Sequence, residues 1–384
     1  MEILEVMQIL GQGEDSQNQF KKNINNIDAI AIELIAFSNT LGGKIFIGVD
    51  DDGSITGLST DDVCRINQLL SNAASQNVKP AINPISEIVT INNERILIID
   101  VPQGLNKPYQ DKNGSIWVKN GADKRKATSR EEMQRLFQDS GMIHADITPA
   151  SGMTAADLDM PYFRNFFQKR YGESLDNQQI PLDQTMNNLN LMKKGELNLT
   201  GAMLFSQSPS NKLPSYIVKA AAFPGKSIST TSYIDNRNIT GKISDIFQQT
   251  VGFILSNIKQ IQGEQGINSL GIPEIPKIVF EELIANALVH RDYFILAPIR
   301  VFIFTDRIEI ISPGHLPNNL TIANIKAGNS NSRNPVLASF ANYILPYRGF
   351  GSGILRALKN YQDIEFIDDR DGNLFKCIIK RIKS

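Results

Sequence analysis

The chain has 384 residues, with 39 Lys and Arg against 40 Asp and Glu, which excludes a globally basic nucleic-acid binder and an acidic disordered chain. At roughly 150 residues per domain the length suggests two or three domains, and 41% apolar residues suffice for a sizeable core. The two cysteines, Cys64 and Cys377, lie far apart, so neither a disulfide framework nor a Cys-based zinc site is expected.

The N-terminal segment is amphipathic and acidic and lacks the basic start and cleavage site of a signal peptide. No apolar run reaches about 18 residues, so a cytoplasmic protein without a membrane span is expected. Charge is uneven. Residues 1–145 hold 14 basic and 19 acidic side chains, 146–259 hold 11 and 9, and 260–384 hold 14 and 12. Aperiodic stretches rich in Gly, Pro and Ser at 146–160 and 262–276 divide the chain into blocks 1–145, 146–262 and 263–384.

In the first block, residues 29–40 read as a helix, apolar on most sides and stopped by Leu41-Gly42-Gly43. Residues 44–49 form a short apolar strand before a turn at 50–53. A helix at 60–76 and strands at 85–91, 94–101 and 115–119 follow, with Asn92-Asn93 turning the first two strands into a hairpin. Thr128 or Ser129, with Glu131 and Glu132 behind it, caps a last helix. The pattern is α+β. Lys119, Lys124, Arg125, Lys126 and Arg130 put five cations within twelve residues, beside Trp117. With Lys21 and Lys22 this run is either a solvated loop or a phosphate-binding face on an otherwise acidic domain.

In the middle block, residues 158–170 and 184–194 read as helical, and 198–225 as a buried helix leading to a strand. Residues 242–261 form a helix with Ile243, Ile246, Phe247, Thr250, Val251 and Ile254 on a core face. The block is expected to be a mainly helical connector without a catalytic constellation.

The third block holds the strongest signal. On a helix over 276–293, Asn286 lies about 40° and His290 about 80° round from Glu282, a polar stripe. Ile278, Ala285 and Val289 flank it on one side, Val279 and Leu283 on the other. A solvated face is not bordered this closely by aliphatics, so the stripe is expected to face a cavity or ligand, or a satisfied network under a loop. Strands at 299–305 and 307–312 follow, broken by Pro313-Gly314. A helix starts near Asn334-Pro335. A loop with Gly349, Gly351 and Gly353 then opens another helix, where free N–H groups and the positive dipole end suit phosphate.

Residues 13–23, 36–58 and 117–136, with the run NTLGGKIFIGVDDDGSITG, resemble the Schlafen AlbA-type (divergent AAA-4) domain. The resemblance implies nucleic-acid binding and, in ribonuclease members, a metal site of two Glu and an Asp. Those positions carry Glu14, Gln19 and Asp50 here. An amide offers a hard cation only a neutral oxygen, so Gln19 argues against cleavage, and Glu14 and Asp50 read as either remnants of that site or plain turn and surface residues.

NALVHRDY, ISPGHLP, RNP and GFGSG, over about 274–380, resemble the divergent GHKL (Bergerat-fold) module found behind AlbA-type domains in bacterial RecG-related transcriptional regulators. The resemblance implies ATP and Mg²⁺. Glu282 would orient the attacking water and Asn286 would bind the metal. His290, Arg291, Gly314, Arg333, Asn334, Gly349, Gly351 and Gly353 would surround the nucleotide. The D-x-G-x-G box that reads adenine is replaced by ISPGHLP, and the winged helix of many relatives has no counterpart in this sequence. The expected architecture is an N-terminal α+β domain, a helical connector and a C-terminal Bergerat α/β sandwich. The expected function is a nucleotide-binding, nucleic-acid-binding regulator with a possible slow Mg²⁺-dependent ATPase; the alternatives are a Schlafen-like endoribonuclease and a nucleotide-free scaffold. Nucleic acid, DNA before RNA, would be held by Lys21, Lys119, Lys124, Arg125 and Lys126. Further copies of the chain are also expected as partners, and a membrane is not.

Overall fold

The computed structural model describes residues 1–228, 232–261, 271–317, 320–349 and 351–381. They divide into two compact units, Met1–Ile143 and His144–Ser384.

In the first unit α1 (Ile3–Gln12) and β1 (Asn18–Lys21) lead to α2 (Ile27–Asn39) and β2 (Gly43–Ile47). The side chain of Asn26 starts α2 by accepting from the N–H groups of Asp28 and Ala29, a cap worth about 1 kcal/mol. At its end, Gly42 has φ +75°, and a Cβ there would sit 2.7 Å from the Gln103 nitrogen. The helix stop read from Gly42-Gly43 is therefore also a close approach to the sheet. After α3 (Thr60–Asn72) come β3 (Val78–Lys79), β4 (Ile85–Ile91), β5 (Glu94–Val101) and β6 (Gln110–Asp111). Asn92 and Asn93 both take positive φ between β4 and β5, the geometry of a two-residue hairpin. The main sheet runs β1-β2-β5-β4, with β1 and β2 parallel. Ile45, Ile47, Leu97 and Ile99 face α2 and α3, while Phe46, Ile96 and Ile98 face α1. Burial on both faces explains why these strands read as continuous apolar runs.

The strand expected at 115–119 is β7 (Trp117–Asn120), and the basic run behind it is its partner, β8 (Asp123–Lys126). Lys119 stands opposite Lys124 and Trp117 opposite Lys126. The last helix, α4 (Arg130–Asp139), is capped by Ser129. β1 was not legible, because Asn18-Gln19-Phe20-Lys21 has one apolar residue and no flanking turn signal.

In the second unit α5 (Met160–Tyr171) and α6 (Leu182–Asn188) precede a small hairpin, β9 (Met192–Lys193) and β10 (Glu196–Leu197). The helix expected at 184–194 stops early because Asn190 and Lys194 adopt positive φ. Then come α7 (Leu199–Phe205), β11 (Val218–Ala222), β12 (Asp235–Ile239), α8 (Ile243–Ser256), β13 (Gln260–Ile261) and β14 (Ile272–Pro273). They are followed by α9 (Lys277–His290), β15 (Ile299–Ile303), β16 (Arg307–Pro313), α10 (Ile322–Lys326), α11 (Pro335–Ile344), α12 (Gly353–Asn360), β17 (Ile364–Asp369) and β18 (Leu374–Lys380).

One sheet, ordered β12-β11-β15-β16-β18-β17, organises this unit. Its strands are antiparallel neighbours except for parallel β11 and β15. Ala220, Val301, Ile310 and Ile379 face the helical layer that holds α8 and α9. The result is the expected α/β sandwich. Residues 146–262 are more than a helical connector, since β11 and β12 complete this sheet, and the boundary set at 262/263 falls inside one unit. Most of that seam, 262–270, and Phe350 of the Gly-rich loop lie outside the described residues. Among the described residues no helix is long and apolar enough to cross a membrane.

Candidate functional site

A cleft opens beside α9 in the second unit, enclosing about 980 Å³ of empty space with the solvent it meets. Glu282, Asn286 and His290 all line it, together with Leu283 and Ala287 of α9. Ile310 and Ser312 of β16 and Phe375 and Cys377 of β18 supply a largely apolar floor. His315 and Leu316 form one side, and Gly349, Gly351 and Gly353 with the start of α12 form another. The i, i+4, i+8 spacing thus puts its three polar groups on the cleft, as their aliphatic borders required.

A Cβ at Gly353 would lie 2.8 Å from both Asn286 Nδ2 and Glu282 Oε2. The first turn of α12 therefore rests directly on the polar stripe, which any larger residue would push apart. Glu282 is 2% exposed, and its Oε1 lies 2.7 Å from Nη2 of Arg356 on α12. Burial raises the Glu282 pKa above the ordinary carboxylate value, while Arg356 and Arg348 oppose that rise. Asn286 donates from Nδ2 to its own helix at Glu282 O, 2.8 Å. Nε2 of His290 is hydrogen-bonded to the Tyr347 hydroxyl at 2.9 Å. Burial and the Arg333 charge lower the His290 pKa to about 4, so the imidazole is neutral at pH 7. Burial also pushes the Cys377 thiol up to about 12, which leaves it protonated and unreactive.

Three residues expected at the nucleotide lie inside the fold instead. Arg291 is 2% exposed, donates to Ile295 O and Ala297 O, and stacks on Tyr216 and Tyr293. Asn334 donates to Val289 O and Arg291 O, satisfying carbonyls that the end of α9 leaves open. Arg333 donates to His315 O and lies 3.9 Å from Asp292, so it braces the turn at Gly314. That turn lines the cleft, and the polar side chain that the strand leading to it presents there is Ser312 rather than an acidic one. Arg356 and Tyr347 were missed from sequence. Arg356 lies three residues past Gly353, where helical spacing points it back at the stripe, and that phase was the available signal.

The cleft has chemistry that fits a nucleotide. Apolar walls suit a base, and the glycine cradle, the start of α12, Arg348 and Arg356 suit phosphates. Glu282 is its only carboxylate, and no group of three His, Cys, Asp or Glu side chains able to hold a metal occurs among the described residues. A Mg²⁺ ion here would take most of its oxygens from phosphates, with Asn286 as the protein ligand.

The first unit gathers its own polar cluster. Oε1 of Glu14 accepts from the Gln19 amide and from Phe20 N, and lies 3.9 Å from Lys21 Nζ. Lys119, 9% exposed, donates to Gln19 Oε1 at 2.7 Å and to Ala122 O. Burial lowers its pKa, a shift that Glu33 partly opposes. Lys124 is bound to Glu33, a carboxylate of α2 with only 4% exposure that sequence reading passed over as part of an apolar helix. Arg125 makes a two-pronged pair with Glu132, at 2.8 and 3.0 Å. Lys126 lies over the Trp117 ring at 5.2 Å. Asp50 pairs with Lys22 at 3.4 Å and makes no contact with the Glu14 cluster among these interactions. Of the five cations expected on a phosphate face, Lys119 is therefore buried, and Lys21, Lys124 and Arg125 each stand beside a carboxylate.

Residues 14–128 match the family described as "Schlafen, AlbA_2". Residues 297–370 match "Putative ATP-dependent DNA helicase recG C-terminal", a HATPase-type model that begins after α9. A crystal structure of the DIP2311 protein from Corynebacterium diphtheriae is 18% identical, over 99% of this chain and 80% of that one, with a TM-score of 0.46. A solution structure of the N-terminal domain of a "Putative ATP-dependent DNA Helicase RecG-related Protein" from Nitrosomonas europaea is 23% identical, over 33% of this chain and 94% of that one, with a TM-score of 0.24. No curated protein matches. The chain thus carries a Schlafen AlbA_2 domain followed by a RecG-related HATPase-type domain, a pairing that points to nucleotide- and nucleic-acid-related function.

Proposed function

We propose that the protein is a nucleotide-controlled, nucleic-acid-binding regulator whose cleft takes ATP with Mg²⁺. The observation that carries this reading is the contact of the glycine-opened helix α12 with the Glu282–Asn286 stripe. It places a phosphate-suited backbone, two cations and a carboxylate around one space. Leu283, Ile310 and Phe375 exclude water from the base, and Asn286 orients the metal end. Glu282 is the group positioned to hold a water for slow hydrolysis once its charge is free of Arg356. The first unit supplies the nucleic-acid contact, through the exposed cations Lys126, which lies over Trp117, and Arg130, with DNA before RNA as the ligand. Cleavage of nucleic acid is not part of this reading, because Gln19 and Phe20 engage Glu14 and Lys22 engages Asp50.

Isothermal calorimetry with ATP, ADP and GTP at millimolar Mg²⁺ tests it. Binding of ATP, weakened by Asn286→Ala, is expected. Absence of heat and of any thermal shift with all three nucleotides would falsify it.

A further inference from the structure

Among the described residues Glu282 is the only carboxylate lining the cleft, and it is almost fully buried. A charge at that depth needs a counter-charge close by. Arg356 provides it, with Nη2 2.7 Å from Oε1. Arg356 also has reach to spare, since its side chain is 26% exposed and its buried Nε has no hydrogen-bond partner. It stands on the first turn of α12, whose Gly353 faces the same carboxylate so closely that a Cβ there would lie 2.8 Å from Glu282 Oε2. Arg348 lines the cleft as a second cation and acts on Glu282 as well. A carboxylate held in this way is not free to hold a water.

We infer that Arg356 is a polyphosphate-responsive latch on Glu282. Without ligand its guanidinium holds the carboxylate; a phosphate chain entering beside the start of α12 draws the guanidinium to itself and releases Glu282. The inference rests on the nucleotide reading of this cleft and adds the device that couples binding to the state of Glu282. A phosphate chain wins the exchange for two reasons. It offers several charges and paired oxygens to a planar guanidinium, and the dipole at the start of α12 favours an anion there. Glu282 and the phosphates therefore compete for one cation, and neutralising Glu282 must tighten phosphate binding. A carboxylate that only held a metal or a water would have the opposite effect on removal.

The test titrates tripolyphosphate and ATP, with and without Mg²⁺, into the full chain and into Glu282→Gln, Arg356→Ala and the double variant. Glu282→Gln is expected to bind both probes about tenfold more tightly than the parent, and Arg356→Ala about tenfold or more weakly. In the Arg356→Ala background, Glu282→Gln is expected to add nothing. The double variant leaves no buried charge alone, so its melting curve separates lost binding from lost folding. Equal tightening with and without Arg356 would mean simple repulsion by Glu282 and would overturn the latch. Unchanged affinity in Glu282→Gln, with ATP bound by the parent, overturns the latch and leaves the nucleotide reading standing. Tightened tripolyphosphate binding with no ATP binding by any variant overturns the nucleotide reading and leaves the latch. No binding of either probe to any variant overturns both.

Discussion

The two units treat their charged residues in opposite ways. In the first, Lys124 meets Glu33, Arg125 meets Glu132 and Lys119 is drawn in between Gln19 and Ala122 O, so cations adjacent in sequence serve the fold. In the second, Glu282, Asn286 and His290 are spread over nine residues yet converge on one cleft with Arg348 and Arg356. A dense run of cations along the chain thus need not be a run of free ones, because the β7–β8 hairpin turns Lys124 and Arg125 toward carboxylates of α2 and α4. Polar residues trapped between aliphatics on a helix do lie on a cleft here, because burying them without a cavity or partner costs about 1–3 kcal/mol each.

The hardest test of this contrast is Arg356→Ala. It strands Glu282 in its buried position and is expected to lower the stability of the second unit by about 3 kcal/mol. Scanning calorimetry should show that loss, and adding Glu282→Gln should recover most of it. Loss unrelieved by the second substitution would mean that Arg356 acts by packing rather than by charge.

His290 sharpens the same side. Its native pKa of about 4 lies below the ordinary value of 6.5, so the unfolded chain binds the extra proton first. The stability contributed by the neutral imidazole is full above about pH 6.5 and is lost as pH falls towards 4. At about 1.4 kcal/mol per unit, and discounted for its partial exposure, the loss is about 2 kcal/mol. Calorimetry of the second unit across that window should show the slope, and His290→Gln, which keeps a polar partner for Tyr347, should flatten it.

On the other side, Lys119→Met removes the donor shared by Gln19 and Ala122 and should cost about 1–2 kcal/mol. Trp117 is the only tryptophan of the chain, so its fluorescence during urea unfolding reports this unit alone. An unchanged midpoint would return Lys119 to the list of surface cations.

The smallest effect concerns nucleic acid. Lys126→Ala and Arg130→Ala should each weaken binding by less than about 1 kcal/mol and reduce the salt slope by about 0.9 per lost phosphate contact. Lys124→Ala and Arg125→Ala should change it less, since their charges are already matched. Fluorescence anisotropy across a salt series reads both pairs. Equal losses would show that the carboxylates of Glu33 and Glu132 do not compete with phosphate.

Periodicity and turn chemistry are local, so the sequence alone determined the elements that depend on them. These are the Asn92-Asn93 hairpin, the helix stop at Gly42-Gly43, the capped start of α4, and α9 with its polar stripe. Both resemblances were legible for the same reason, since each sits in short runs such as NTLGG and NALVHRDY. Other features depend on residues far apart in the chain. That β11 and β12 join β15 across the 262–276 seam follows from parallel pairing of segments about 80 residues apart, which no local pattern encodes. That Arg291 and Asn334 brace the end of α9, while Arg356 enters the cleft, depends on which carbonyls and carboxylates the packed helices leave open. A charged side chain's sequence neighbours say that it is charged; only the tertiary structure brings it a partner, because the gain from pairing has to offset desolvation at one place in space.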